Sequence, residues 1–252
     1  MVHYFISYFQ ILKLKKTNHV AFALPTGAMG NSIAGLLCMK MGLPITRLVL
    51  GQNINNPIYQ LIETNTLVNN ESTKVIPTIA PAIDILVPYN VERLVWILSG
   101  FNFEFTKEFM RKFLEHERIQ IENLNFHDYF TSSFVENEGN VLEIISKFLK
   151  DFTYCMDPHT AYGMHALLEA RNHPKYDDEI FICFATAHPS KFPMVYTKKL
   201  ALTEGDIYTL PKSLIDCTTI NPKISEKISQ HLVEDRLRKE ISLIFQTDCS
   251  RL

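Results

Sequence analysis

The chain has 252 residues, 46% of them hydrophobic, with 27 acidic and 25 basic side chains and a formal net charge of −2. That is enough apolar material for one large core or two small ones. The missing basic excess argues against a general nucleic-acid binder, because nothing would offset a phosphate backbone. The five cysteines are scattered (Cys38, Cys155, Cys183, Cys217, Cys249) and form no C-x-x-C pair. They read as reduced thiols, the first three in apolar surroundings, and neither a disulfide framework nor a zinc site is expected. The nine histidines show no H-x-x-x-H spacing, so no metal site is predicted.

The N-terminal run Met1 to Leu12 is apolar, but its lysines (Lys13, Lys15, Lys16) follow it rather than precede it. It lacks the marks of a signal peptide and is too short to span a membrane. Val2, Phe5, Ile6, Phe9 and Leu12 recur at helical spacing, which predicts a helix packing that face on the core. No capping residue precedes it, so the chain reads as beginning inside an element.

Residues 19–24 form an apolar strand, the small-residue turn Pro25-Thr-Gly-Ala-Met-Gly-Asn31 follows, and a helical pattern runs from Ser32 to Met39. A strand, a tight turn and a helix N-terminus converge backbone N–H groups and the positive end of a helix dipole on one point, which suits an anion. Gly27 and Gly30 are expected to keep Cβ atoms away from such a group. Thr46 to Leu50 reads as a second strand and Asn55 to Glu63 as a short helix, giving a parallel α/β unit whose ligand sits beyond the strand carboxyl ends. The proline-punctuated stretch from Thr78 to Asn90 is expected to be extended or turning, with Asn90 as N-cap of a helix over 91–98.

From about 106 to 144 the pattern is charged and irregular and reads as a peripheral helical insertion. Helices are expected over 141–152 and 161–171, with a turn at Asp157-Pro-His-Thr160 in which Asp157 caps the second helix. Glu179 to Ala185 is an apolar run of strand length, and a loop from Thr186 to Pro193 leads into another helix. Two regions are expected: residues 1–205 as a cofactor-binding domain and 206–252 as a charged helical tail.

Several of these motifs together resemble the threonine synthase-like family. They are Pro25-Thr-Gly-Ala-Met-Gly-Asn-Ser-Ile-Ala-Gly35, Lys40-Met-Gly-Leu-Pro-Ile45, Pro81-Ala-Ile-Asp-Ile-Leu-Val-Pro-Tyr-Asn-Val-Glu-Arg93, Asp157-Pro-His-Thr-Ala161 and Ala185-Thr-Ala-His-Pro-Ser-Lys-Phe-Pro193. Their order and spacing suit the second half of that family's chain. The Gly-Ala-Met-Gly-Asn form of the turn is most similar to the animal threonine synthase-like phospho-lyases.

The resemblance implies an α/β fold of the tryptophan synthase β-like type, with an incomplete parallel sheet flanked by helices, and pyridoxal 5'-phosphate as cofactor. It implies that Gly27, Ala28, Met29, Gly30 and Asn31 bind the cofactor phosphate through main-chain N–H groups. Thr186 would hydrogen-bond the pyridine nitrogen, tempering the electron sink in favour of elimination and replacement. The implied substrate is a small O-phosphorylated hydroxyamino acid, of the phosphohomoserine or phosphothreonine type. Asn53 and Asn56 fall where the family carries an Asn-x-x-Asp cluster, and Asn56 departs from the acid.

The family's Schiff-base lysine lies upstream of the phosphate turn, and no lysine here stands in that context. Surface lysines do not replace an amine held in a desolvated pocket. The chain is therefore expected to be inactive by itself, to hold the cofactor loosely, and to have Met1 as an internal methionine of a longer ancestor. A non-catalytic short form acting as a signalling or interaction protein, secreted or intracellular, is the alternative, with homo-oligomers possible at an open sheet edge. Cytoplasmic localisation is the leading expectation.

Simpler roles are expected for the rest: His159 and His188 as hydrogen-bonders in tight turns, and Asp84, Glu92 and Arg93 as ion-pair or capping groups. Trp96 is expected in the core, and the charges after Glu226 on a solvated helix face.

Overall fold

The computed structural model describes residues 1–15, 19–69, 74–116 and 118–201. The expected helical tail and Cys217 and Cys249 lie outside them. The centre is a four-stranded, wholly parallel sheet in the order β5-β2-β1-β6, built from β1 (Val20–Pro25), β2 (Ile45–Gln52), β5 (Phe130–Phe134) and β6 (Ile180–Cys183). A separate antiparallel pair joins β3 (Thr66–Val68) to β4 (Arg118–Gln120). Seven α-helices are described: α1 (Val2–Lys15), α2 (Gly30–Lys40), α3 (Pro57–Thr64), α4 (Val91–Leu98), α5 (Phe103–Glu115), α6 (Glu138–Phe152) and α7 (Pro158–Arg171).

β1 is central and buried on both faces, as its unbroken apolar run requires. The alternation of its side chains assigns the two layers. Phe22 and Leu24, with Leu48 and Leu50 of β2, face a core completed by Ile33 and Leu36 of α2, Leu94 of α4 and Tyr4 of α1. Ala23 and Val49 face the other way, onto Ala166, Leu167 and Ala170 of α7. Small residues on that second face let α7 approach very closely. A Cβ added at Gly51 would lie 2.1 Å from the Tyr162 carbonyl oxygen, so only glycine fits that point of β2.

The region expected as a helical insertion is instead mixed. α5 occupies its start, but β4 and the sheet-edge strand β5 follow, and β5 pairs with β2 from Leu48↔Phe130 to Gln52↔Phe134. Between its two phenylalanines β5 carries Thr131, Ser132 and Ser133, and hydroxyls of that kind look like a loop in sequence. An edge strand tolerates them because side-chain partners are within reach: Gln52 donates to Ser132 Oγ at 2.9 Å, and Ser133 donates to Glu169.

The helix α1 is present, but it packs through a different face. Tyr4 and Tyr8 are buried, while Val2, Ile6 and Phe9 are more than half exposed. The aromatic rings decide this, because Tyr4 meets Phe22 and Phe184 edge-on at 5.0 and 4.8 Å. Trp96 is likewise not in the core. It is 42% exposed and packs edge-on against Phe101 at 4.9 Å. Residues 157–160 are not a turn preceding a helix, since α7 begins at Pro158 itself, with Asp157 as N-cap. After a short 3₁₀ turn at Pro189–Lys191, the expected helix is a single π-type turn over Val195–Lys199.

Candidate functional site

The carboxyl ends of adjacent strands gather the residues singled out in the sequence. Ala23 of β1 pairs with Cys183 of β6, so the glycine turn after β1 and the Thr186 loop after β6 leave the sheet side by side. This is where parallel α/β sheets bind ligands.

The turn from Thr26 to Met29 is fixed at both ends. Thr26 N–H donates to the Gly51 carbonyl at 2.8 Å, and Ile33 N–H donates to the Met29 carbonyl at 2.9 Å as the first bond of α2. Between them the N–H groups of residues 27 to 32 have no protein acceptor among the described residues. Six N–H groups without a protein acceptor, gathered at the positive end of a helix, suit an anion, and this turn is termed the cradle. Met29 adopts the left-handed conformation (φ 68°), which bends the chain from turn into helix.

Three supports hold the cradle. Asn90 Nδ2 donates to the Ala28 carbonyl at 2.7 Å, and Arg93 donates to Asn90 Oδ1 at 2.5 Å. Asn90 does occupy the N-cap position of α4, but its side chain makes no cap bond there. From α1, Tyr4 donates to the Asn31 carbonyl at 3.0 Å and His3 contacts Asn31 Oδ1 at 3.1 Å. His3 thus meets the Oδ1 atom of Asn31 and Tyr4 its main-chain carbonyl. The third support is the 3₁₀ turn Pro81–Ile83. A Cβ on Gly27 would come within 2.9 Å of Ile83 Cα, so this packing by itself demands glycine there. Gly30 does border open space, where the nearest atom to an added Cβ is Asn90 Nδ2 at 3.6 Å.

The cavity at the turn has a volume of about 160 Å³ and is bordered by residues 25 to 32 with Ala82 and Ile83. That is below the roughly 300–1,000 Å³ of sites enclosing a whole small molecule, so the turn has room for an anionic tip and not for an entire ligand. The donor set fits a phosphate: uncharged N–H groups, no carboxylate and no lysine among the bordering residues.

Thr186 is exposed, its N–H donates to Thr160 Oγ1 at 3.1 Å, and its hydroxyl has no protein partner among the described residues. Behind it lies a buried polar group at the start of α7. Asp157 Oδ1 accepts from the His159 N–H at 2.9 Å and from the Thr160 N–H at 3.3 Å, and contacts His159 Nδ1 at 3.2 Å. Its Oδ2 accepts from the Thr160 hydroxyl and from Ala187 N–H, the latter at 3.3 Å. His159 Nε2 accepts from Ala82 N–H at 3.1 Å, which assigns the ring proton to Nδ1, directed at Asp157. Burial alone would raise the Asp157 pKa, but hydrogen bonds from His159 and Thr160 outweigh it and hold the carboxyl below its ordinary value. The expected helix cap is thus present, but the contact to the Thr186 loop, thirty residues further on, has no local signal in the sequence.

The amide-rich loop after β2 is structural. Asn53 donates to Asp84 at 2.6 Å and to Thr78 at 3.1 Å, and Asp84 also accepts from the Thr78 hydroxyl at 2.6 Å and its N–H at 2.9 Å. Asn56 accepts from Gln60 at 3.0 Å. His188 caps its own short turn through Ser190, as expected. Glu92 and Arg93 are exposed on α4. Cys38 and Cys155 are buried free thiols and Cys183 is partly buried. No helix among the described residues is long and apolar enough to cross a membrane.

A parallel sheet with a glycine-turn anion cradle and a hydroxyl residue at adjoining strand ends is the architecture of the fold-type II pyridoxal-phosphate class, and solved structures match it. The threonine synthase structure from yeast superposes with a TM-score of 0.80 at 28% identity, covering 95% of this chain and 51% of that one. A pyridoxal-phosphate-bound threonine synthase from Brucella melitensis gives 0.72 at 25% identity, over 86% and 45%. In sequence the chain is 30% identical over 266 residues to threonine synthase of Saccharomyces cerevisiae, covering 96% of this chain and 51% of that protein. It is 34% identical over 204 residues to human threonine synthase-like 2, covering 77% and 40%. No protein-family model matches. The chain belongs to the threonine synthase-like family and spans about half the length of the curated relatives it matches.

Proposed function

We propose that this chain supplies the phosphate cradle and the ring-nitrogen side of a pyridoxal 5'-phosphate site of the threonine synthase type. Gly27, Ala28, Met29, Gly30 and Asn31 hold the phosphate by main-chain N–H groups, and the Thr186 hydroxyl meets the pyridine nitrogen. When bound, the cofactor supplies an electron sink for carbon–oxygen bond cleavage in a small O-phosphorylated hydroxyamino acid. The observation that carries this reading is the run of six donors at residues 27 to 32, left open at the N-terminus of α2.

None of the lysines in these 252 residues stands in the family's Schiff-base context, so these residues bind the cofactor reversibly and do not turn over substrate by themselves. Adding pyridoxal phosphate to the purified chain tests this. Weak binding that borohydride does not make permanent is the expected result. A band at roughly 410–420 nm that borohydride fixes onto one lysine would overturn the inactive reading.

A second reading, a non-catalytic chain that works through a partner, draws on the exposed apolar face of α1 formed by Val2, Ile6 and Phe9. Size-exclusion chromatography separates the two: a monomer whose elution is unchanged across concentrations counts against self-association through that face.

A further inference from the structure

We propose that Asp157 is a positioning residue that sets Thr186 relative to the glycine turn. This rests on the cofactor reading above and extends it to residues that touch no ligand.

A helix cap needs one side-chain oxygen, and Asp157 Oδ1 meets that need with the His159 and Thr160 N–H groups. The second oxygen does something else. It receives the Thr160 hydroxyl and the Ala187 N–H, both of which belong to the support of the Thr186 loop. Because the Thr160 hydroxyl spends its only proton on Asp157, its lone pairs are left to accept the Thr186 N–H at 3.1 Å. The chain of donors runs one way, from loop to hydroxyl to carboxylate, and only an acceptor-only group can terminate it. On the other oxygen, His159 continues the link to Ala82 N–H, beside the Ile83 backbone against which Gly27 packs.

Asp157, His159 and Thr160 are 1%, 4% and 2% exposed, so water does not compete for these bonds. The arrangement fixes the spacing between a phosphate donor set and a ring-nitrogen donor that follow different strands. A ligand spanning both is sensitive to that spacing. A ligand filling only the cradle is not.

The test compares two ligands on the full 252-residue chain, inorganic phosphate and pyridoxal phosphate, followed by amide NMR shifts. Both are expected to move resonances of residues 27 to 32, and pyridoxal phosphate is expected to move Thr186 as well. Thr160→Val removes the hydroxyl at nearly constant volume. It is expected to weaken pyridoxal phosphate roughly tenfold while leaving phosphate affinity unchanged, and Thr160→Ser is expected to restore the wild-type ratio. D157N is expected to act in the same direction, and if it fails to fold the Thr160 pair decides the matter.

Equal losses for both ligands in Thr160→Val, or no loss for either, would overturn the positioning role while leaving the cofactor reading intact. A wild-type chain that responds to neither ligand removes the cofactor reading, and the positioning role with it.

Discussion

Two polar regions flank the same strand ends and are built in opposite ways. At the start of α7, both carboxylate oxygens of Asp157 and the Thr160 hydroxyl are matched and hidden from water. At the start of α2, six main-chain donors have no protein acceptor among the described residues. The sealed cluster converts its polar groups into rigidity, because buried donors without partners would be costly. The open cradle keeps its polar groups available, because a matched donor cannot also bind a ligand. Stability belongs to the first region and binding to the second, and substitutions separate the two.

The largest effect is expected in the sealed cluster. Asp157→Ala strands several buried donors at once and should lower stability by about 3 kcal/mol, read by thermal or urea unfolding. The same carboxylate gives a pH signature. Its folded-state pKa lies below the ordinary 3.8, since hydrogen bonds from His159 and Thr160 overcome the opposing effect of burial. The unfolded chain therefore takes up the proton first. The contribution is complete above about pH 4 and is lost as pH falls towards the folded-state value. Wild type should lose stability through that acid window, and Asp157→Asn should lose less. Parallel acid limbs in the two proteins would show that Asp157 does not govern it.

Gly27→Ala comes next. Its Cβ would press on the Ile83 backbone at 2.9 Å and on Ile85 Cδ1 at 3.0 Å, and backbone cannot swing aside. A loss of about 1–3 kcal/mol is expected, together with weaker phosphate binding as the cradle shifts. Unchanged stability with weakened binding would restore ligand clearance as the reason for this glycine.

What the sequence discloses follows the range of the interactions involved. β1 and β2 are largely buried apolar runs, β6 is an apolar run that is only half-buried because it lies at the sheet edge, and α4 begins and ends where its pattern does; each is decided as a strand or helix by residues close in the chain. The glycine turn is equally legible, being a contiguous motif. β5 is not: Thr131, Ser132 and Ser133 sit in a strand only because Gln52 and Glu169 are there to meet two of them. The face α1 buries was decided by Phe22 and Phe184, not by its own aliphatic periodicity. Trp96 is exposed because α4 turns Leu94, Val95 and Ile97 inward instead. In the site, the cap by Asp157 is local and readable, while its hold on Ala187 and the service of Asn90 to Ala28 cross thirty and sixty-two residues.

Asn90→Ala probes the open region by removing one of its supports. It removes one hydrogen bond of 2.7 Å to the Ala28 carbonyl and leaves Arg93 without its 2.5 Å acceptor. About 1 kcal/mol of stability is the expected loss. The more telling change is in the cradle, where amide hydrogen exchange at residues 27 to 32 should quicken relative to α2. Uniform quickening across both would mean that Asn90 stabilises the domain at large and not the turn.

The smallest effect sharpens the contrast most. The main-chain N–H of Thr186 is bound by Thr160, whereas its hydroxyl has no protein partner among the described residues and its side chain is exposed. Thr186→Ala therefore removes nothing that the folded chain uses, and stability should stay within about 0.5 kcal/mol of wild type. Phosphate binding should also be unchanged, because the cradle keeps every donor. Only a ligand that carries a ring-nitrogen acceptor beyond its phosphate should bind more weakly. A residue that is silent in unfolding, silent towards phosphate and felt only by pyridoxal phosphate has the profile of a ligand contact. A marked drop in melting temperature would instead make Thr186 one more member of the sealed cluster.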